Sequence, residues 1–138
     1  MLPKKILLAE DDADDRSFFF DFLTGRKDIA RITAVENGEE VFSWLENIQD
    51  AAALPDIIVL DQNMPKKNGF QTLQGLKSNS RYRSIPVFMY STYADENLAK
   101  KSLACGARLV LAKPFSPAGY HEMIDQIFDT LQVEADGV

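Results

Sequence analysis

Five short apolar runs recur along the chain, each followed by a longer amphipathic stretch, and this alternation restricts the possible folds more than any other pattern. KKILLA (4–9) leads through the acids Glu10, Asp11 and Asp12 into DDRSFFFDFL (14–23), where Phe18 pairs with Phe22 and Phe19 with Leu23 at helical spacing. ARITAV (30–35) precedes NGEEVFSWLENI (37–48), which sets Val41, Trp44, Leu45 and Ile48 on one face. DIIVL (56–60) precedes NGFQTLQGLK (68–77), and IPVFMY (85–90) precedes DENLAKKSLACG (95–106), which Gly106 stops. RLVLA (108–112) precedes SPAGYHEMIDQIFDTL (116–131). Strands that read as continuous apolar runs, each returning through a helix, imply a parallel sheet covered on both faces with right-handed crossovers. The fold class is therefore α/β: a (βα)5 doubly wound, five-stranded parallel sheet.

The 138 residues suit one domain, and 46% hydrophobic content is enough to bury a core. We assign that domain to residues 1–133 and expect a frayed tail at 134–138, with the last helix ending near residue 132 and no output domain following it. Fifteen Lys and Arg against 21 Asp and Glu give a net charge of −6, which disfavours a nucleic-acid partner. The opening MLPKKILLAEDD has too few apolar residues for a secretory segment, and no stretch is long enough to span a membrane. A cytoplasmic protein with no membrane partner is expected. Cys105 is the only cysteine, so no internal disulfide can form, and it reads as a small apolar residue closing a helix. His121 reads as a surface residue.

In a sheet of this kind, ligands bind beyond the carboxyl ends of the strands, where the strand order reverses. Glu10 and Asp11 follow the first strand, Asp61 and Asn63 the third, Ser91 and Thr92 the fourth and Lys113 the fifth. Each alone is an ordinary loop residue; together they put three acids, a hydroxyl and an ammonium on one rim. Carboxylates about 4 Å apart repel by roughly 4 kcal/mol per pair at an effective dielectric near 20, so a cation is required among them. Mg²⁺ fits, because it uses one or two carboxylates and recruits phosphate, whereas the lack of a Cys or His cluster disfavours zinc. Asp61, ending a buried run, is then the candidate phosphoryl acceptor, with Lys113 to pair with the arriving charge and Ser91 to donate a hydroxyl.

LLAEDD…R, VLDQNMPKKNG, PVFMYST and LAKPF, in that order, resemble the receiver domain of bacterial two-component response regulators over nearly the whole chain. The spacing agrees: 30 residues separate Asp61 from Ser91, and 22 more lead to Lys113. The resemblance implies strand order 2-1-3-4-5. It implies Mg²⁺ at Glu10, Asp11 and Asp61 with the backbone carbonyl of Asn63, phosphorylation of Asp61, a switch hydroxyl at Ser91 and a phosphate-pairing Lys113. It also implies a sensor histidine kinase or histidine phosphotransfer protein as donor, and a downstream protein partner whose affinity changes. On this reading the chain is a stand-alone phosphoacceptor rather than an enzyme acting on a separate substrate.

Two departures stand out. NIQDAAALPD (47–56) lengthens the stretch before Asp61, as an extended helix or a loop. Val110 occupies the place, three residues before Lys113, where many receivers carry an aromatic ring that turns inward on phosphorylation. The ring-coupled half of the switch is therefore expected to be missing; Tyr90 and Tyr93 flank Ser91 as alternatives, with core and rim roles as their simplest readings. A haloacid-dehalogenase-type hydrolase would need a second acid where Asn63 stands, a flavodoxin would need a phosphate loop where EDDADD stands, and no P-loop motif exists. A degenerate receiver acting as a constitutive binding module would have lost an acid or the lysine, and none is lost. We further expect a cis Lys113–Pro114 bond. In SFFFDFL, Phe18, Phe19, Phe22 and Leu23 should form the core-facing stripe and Phe20 should be the most exposed phenylalanine.

Overall fold

The computed structural model describes residues 2–92 and 95–136, the side chain of Asp136 excepted. In chain order the elements are β1 (Lys4–Ala9), α1 (Ala13–Leu23), β2 (Ile29–Val35), α2 (Gly38–Glu46), a single 3-10 turn (Ala51–Ala53), β3 (Ile57–Asp61), α3 (Gly69–Lys77), β4 (Val87–Ser91), α4 (Glu96–Cys105), β5 (Leu109–Ala112) and α5 (Pro117–Asp136). All strand pairs are parallel, in the order β2-β1-β3-β4-β5. The chain therefore leaves β1 in one direction toward β2 and crosses back over to β3. The reversal falls between β1 and β3, where Glu10 and Asp61 end their strands.

Strand parity sorts the side chains into two cores. Leu7 and Ala9, Ile58 and Leu60, and Val87 and Met89 face α2, α3 and α4, packing with Val41, Leu45, Leu73 and Leu76. Ile6 and Leu8, Ile57 and Val59, and Phe88 and Tyr90 face α1 and α5, packing with Phe19, Leu23, Tyr120, Ile124 and Ile127. Of the three inner strands, β3 and β4 are buried along their whole length and β1 beyond its first two residues, which is why they read as apolar runs, whereas edge strand β2 is half exposed. Each fully buried Leu, Ile or Phe contributes roughly 1.5–3 kcal/mol, so this double core is the main source of stability.

Helix starts are fixed by side-chain caps. Asp12 accepts the Asp15 N–H, Asn37 the Glu40 N–H, Asn68 the Gln71 N–H in a reciprocal capping box, and Asp95 the Asn97 and Leu98 N–H groups. Gly106, at φ 113°, ends α4 as the sequence implied, and half-buried Cys105 is the last residue of that helix.

Several expectations need correction. The Lys113–Pro114 bond is trans, since no peptide bond among the described residues is cis; the lysine reaches the site from a trans bond, so the sharp turn does not need the other isomer. Phe20 is the most exposed of the four phenylalanines of α1, at 49%, but Phe18 follows at 44% and does not face the core. The buried row is Phe19 with Leu23, and Phe18 stacks on Phe22 at 5.5 Å along the flank, so the apolar stripe is narrower than i,i+4 pairing alone suggested. Of the two alternatives for the added stretch before β3, the structure shows the loop, with one 3-10 turn (Ala51–Ala53) in it and α2 ending at Glu46. Helix α5 runs on to Asp136, past the end expected near residue 132, and Glu134 within it pairs with Arg108 at 2.7 Å. His121 is half-buried beside Arg26, with Nδ1 3.1 Å from the guanidinium, and Arg26 also holds Asp28 and Asp125. Tyr93 lies outside the described residues.

Candidate functional site

The parity that builds the α1/α5 core also builds the site. Continuing β1 by one residue puts Glu10 in line with Ile6 and Leu8; Asp61 follows Ile57 and Val59, and Lys113 follows Leu109 and Leu111. The ladder itself continues past the strand ends, with Glu10 N–H donating to Val35 and Lys113 N–H to Ser91. Three polar side chains thus emerge from an apolar face at the same level.

Glu10 is fully buried and Asp61 is 3% exposed, while Asp11 is exposed on the loop. One carboxylate oxygen from each of these three residues lies within 4.8 Å of the others. Lys113 Nζ sits among the acids, 2.7 Å from Glu10 Oε1, 3.0 Å from Asp15 Oδ2 and 3.4 Å from Asp61 Oδ2. The Asp61 carboxyl is pushed up to about 7, first by burial and then by the Glu10 carboxyl, with Lys113 offsetting part of the effect. Burial works against the charge of Lys113, but the hydrogen bonds to Glu10 and Asp15 and the charge of Asp61 more than compensate, holding it firmly protonated.

Backbone features fix the site's floor. Arg16 donates from Nη1 to the carbonyls of Glu10 and Asp11, both at 2.9 Å, which pins the acidic loop against α1. Gly69 starts α3 so close to β3 that a Cβ there would lie 2.4 Å from the Asp61 carbonyl oxygen. Only glycine lets this loop close over the end of the strand, and the Gly69 N–H donates to the Gln62 carbonyl at 3.0 Å. Lys66, in the same loop, takes the left-handed conformation at φ 65°.

Of the residues singled out in the sequence, Glu10, Asp11, Asp61 and Lys113 are brought together. Ser91 is 5% exposed at the end of β4, paired with Ala112 in the ladder, and Asn63 is exposed two residues past Asp61. Two residues that sequence reasoning does not place at the site join them, Asp15 and Tyr90. Asp15 lies in the first turn of α1, three residues after the cap Asp12, so helical geometry returns it to the rim. Tyr90 is fully buried and donates its hydroxyl to Glu10 Oε1 at 2.6 Å; strand parity with Phe88 is the available signal. Tyr120 is also buried, with a hydroxyl that finds no partner among the described residues, and burial together with Asp15 and Glu10 pushes it up to about 12.

A doubly wound parallel sheet with an acidic cluster and a lysine at its switch point defines an α/β protein with a candidate binding site beyond its strand ends, and similarity to known proteins narrows the class. The response regulator receiver domain family matches residues 6–125, and the chain belongs to that family. Chemotaxis protein CheY1 of Helicobacter pylori is 27% identical over 126 residues, covering 91% of this chain and 98% of that protein. The probable C4-dicarboxylate response regulator DctR of Bacillus subtilis is 32% identical over 111 residues, covering 80% of this chain but 46% of its own length. Among solved structures, the phosphorylated cyanobacterial phytochrome response regulator RcpA superposes with TM-score 0.78 at 28% identity, and Mn²⁺-bound Rcp1 with TM-score 0.76 at 26%, each covering 91% of both chains. Among the described residues, no helix is long and apolar enough to cross a membrane.

Proposed function

We propose that Asp61 accepts a phosphoryl group from the phosphohistidine of a sensor histidine kinase or histidine phosphotransfer protein, and that the product changes its affinity for a protein partner. The observation that carries this reading is the buried Asp61 carboxylate at the end of β3, beside Lys113 and two further acids. An Asp61 oxygen attacks phosphorus, the P–N bond to the donor imidazole breaks, and the imidazole leaves with the electron pair. Lys113 then pairs with a phosphoryl oxygen in place of part of its carboxylate contacts, and the Ser91 hydroxyl donates to another.

The donor set fits Mg²⁺: oxygen ligands only, three carboxylates within reach of one another, and no Cys or His among them. Glu10, Asp11, Asp61 and the Asn63 backbone carbonyl would hold the ion, which when bound neutralises charge on the phosphoryl oxygens. The role of this chain's own residues is to orient: Arg16 fixes the acidic loop, Gly69 lets the β3–α3 loop close, and Lys113 balances the carboxylates. The protein works as a phosphoacceptor in signalling, in the cytoplasm with its donor, rather than as an enzyme turning over a separate substrate. Transfer from an autophosphorylated histidine kinase to the purified protein tests the donor: label should move from kinase to this chain and be lost in hydroxylamine, as an acyl phosphate is. Label stable to hydroxylamine would contradict the reading.

A further inference from the structure

Tyr90 has a bulky side chain fully buried in the α1/α5 core, yet its hydroxyl is spent on one atom of the acidic cluster. Glu10 Oε1 accepts two donors, Tyr90 Oη at 2.6 Å and Lys113 Nζ at 2.7 Å. Among the described residues, Glu10 Oε2 accepts a single hydrogen bond, from the Asp12 N–H at the longer distance of 3.2 Å, in the β1–α1 loop that also carries Asp11. A carboxylate oxygen has two lone-pair directions in the carboxylate plane. Oε1 has both filled, so Oε2 is the oxygen with capacity left.

We infer that Tyr90 is a positioning residue for the acidic metal site, turning Glu10 so that Oε2, rather than Oε1, is offered beside Asp11 and Asp61. The inference rests on reading those three acids as the Mg²⁺ site. The tyrosine ring is itself held rigidly: Phe19 meets it edge-on at 6.2 Å, and Lys113 Nζ lies 5.1 Å from its centroid. Because Tyr90 immediately precedes Ser91 in β4, the same hydroxyl ties the strand carrying the switch serine to the acid loop after β1, across the intervening β3. Lys113 cannot take over this role, since it also serves Asp15 and Asp61. A neutral hydroxyl that bonds one acid alone keeps its place when the ammonium moves.

Tyr90→Phe preserves the ring and its packing and removes only the donor. Outer partners of metal ligands typically contribute about 10–100-fold in metal affinity, and we expect the lower end, a roughly tenfold weaker Mg²⁺ dissociation constant by calorimetry. In a Glu10→Gln background the same substitution should produce no further loss, because its effect passes through the Glu10 carboxylate. As a check needing no variant, the Tyr90 13Cζ resonance should shift during a Mg²⁺ titration along the same saturation curve as the calorimetry. Wild-type affinity in Tyr90→Phe, an equal loss with and without Glu10, or a 13Cζ signal indifferent to Mg²⁺ would each overturn the inference while leaving the metal site in place. Failure of the unaltered protein to bind Mg²⁺ would overturn the metal site itself, and the inference with it.

Discussion

Lys113 Nζ lies closer to Glu10 Oε1, at 2.7 Å, than to Asp61 Oδ2, at 3.4 Å. Its side chain is 11% exposed, so the ammonium serves as the internal counter-charge of a buried acidic cluster before any phosphoryl group arrives. Breaking a buried pair by removing one partner typically costs about 3–5 kcal/mol. Lys113→Gln should therefore lower stability in urea by roughly 2–4 kcal/mol in the presence of a chelator, the lower figure reflecting partial exposure of Asp15. Saturating Mg²⁺ should restore much of the loss by supplying another positive charge. A variant equally stable with and without Mg²⁺ would show that the lysine does not serve as counter-charge.

Asp61 sets the opposite sign. Its folded-state value of about 7 lies above the ordinary 3.8, so the folded protein retains a proton that the unfolded chain releases. That contribution to stability is fully present below about pH 4 and is lost as pH rises through 7. Asp61→Asn removes the titration, so without metal it should be little different from wild type near pH 4.5 and more stable at pH 8. A tenfold change in proton affinity is equivalent to about 1.4 kcal/mol, and with water reaching the open side of the site we expect a gain of about 1–2 kcal/mol at pH 8. Equal stability of the two proteins at pH 8 would contradict the assignment of strain to this carboxylate.

The same proton competes with a cation. Between pH 6 and pH 7.5 the apparent Mg²⁺ affinity should rise by up to about tenfold for each pH unit on the acid side of Asp61's titration and then level off. Calorimetry in buffers of different ionisation enthalpy should detect proton release at pH 6.5 and little at pH 8. A pH-independent affinity would place the bound ion away from Asp61.

The fold is legible in the sequence because its inner strands are buried on both faces, so that Ile57–Leu60 and Val87–Tyr90 form unbroken apolar runs, and because caps such as Asn68 and Gly106 mark helix ends. Glu10, Asp61 and Lys113 are legible from the strands they follow. Asp15 is hidden within the run EDDADD, where its direction depends on α1 beginning after the cap Asp12. Tyr90 is hidden because its ring satisfies the apolar pattern of β4 while its hydroxyl reaches two strands away, which periodicity does not register. Phe18 misleads for a related reason: i,i+4 spacing shows that it meets Phe22, not which side of the pair faces the sheet.

Val110 is half-buried against the α2/α3/α4 core, and beside it a cavity of about 170 Å³ is lined by Ser91, Asp95, Glu96, Ala99, Leu111 and Ala112. No ring fills that space from β5. Addition of a beryllofluoride phosphoryl mimic should therefore move the amide resonances of Ser91, Thr92 and the start of α4 more than those of Leu109–Ala112. Largest shifts along β5 with Ser91 and Thr92 unmoved would show that the signal takes another route. Val110→Tyr should alter phospho-dependent affinity for the partner, and identical affinities in both states would show that position 110 carries no signal.

The signalling role proposed for this protein depends on phosphorylation of Asp61, and intact-mass spectrometry after incubation with a small acyl phosphate reads that event itself. One phosphoryl group should be gained with Mg²⁺ present, lost from the spectrum when a chelator is added beforehand, and absent in Asp61→Asn. Equal labelling of Asp61→Asn, or labelling that a chelator leaves untouched, would contradict it.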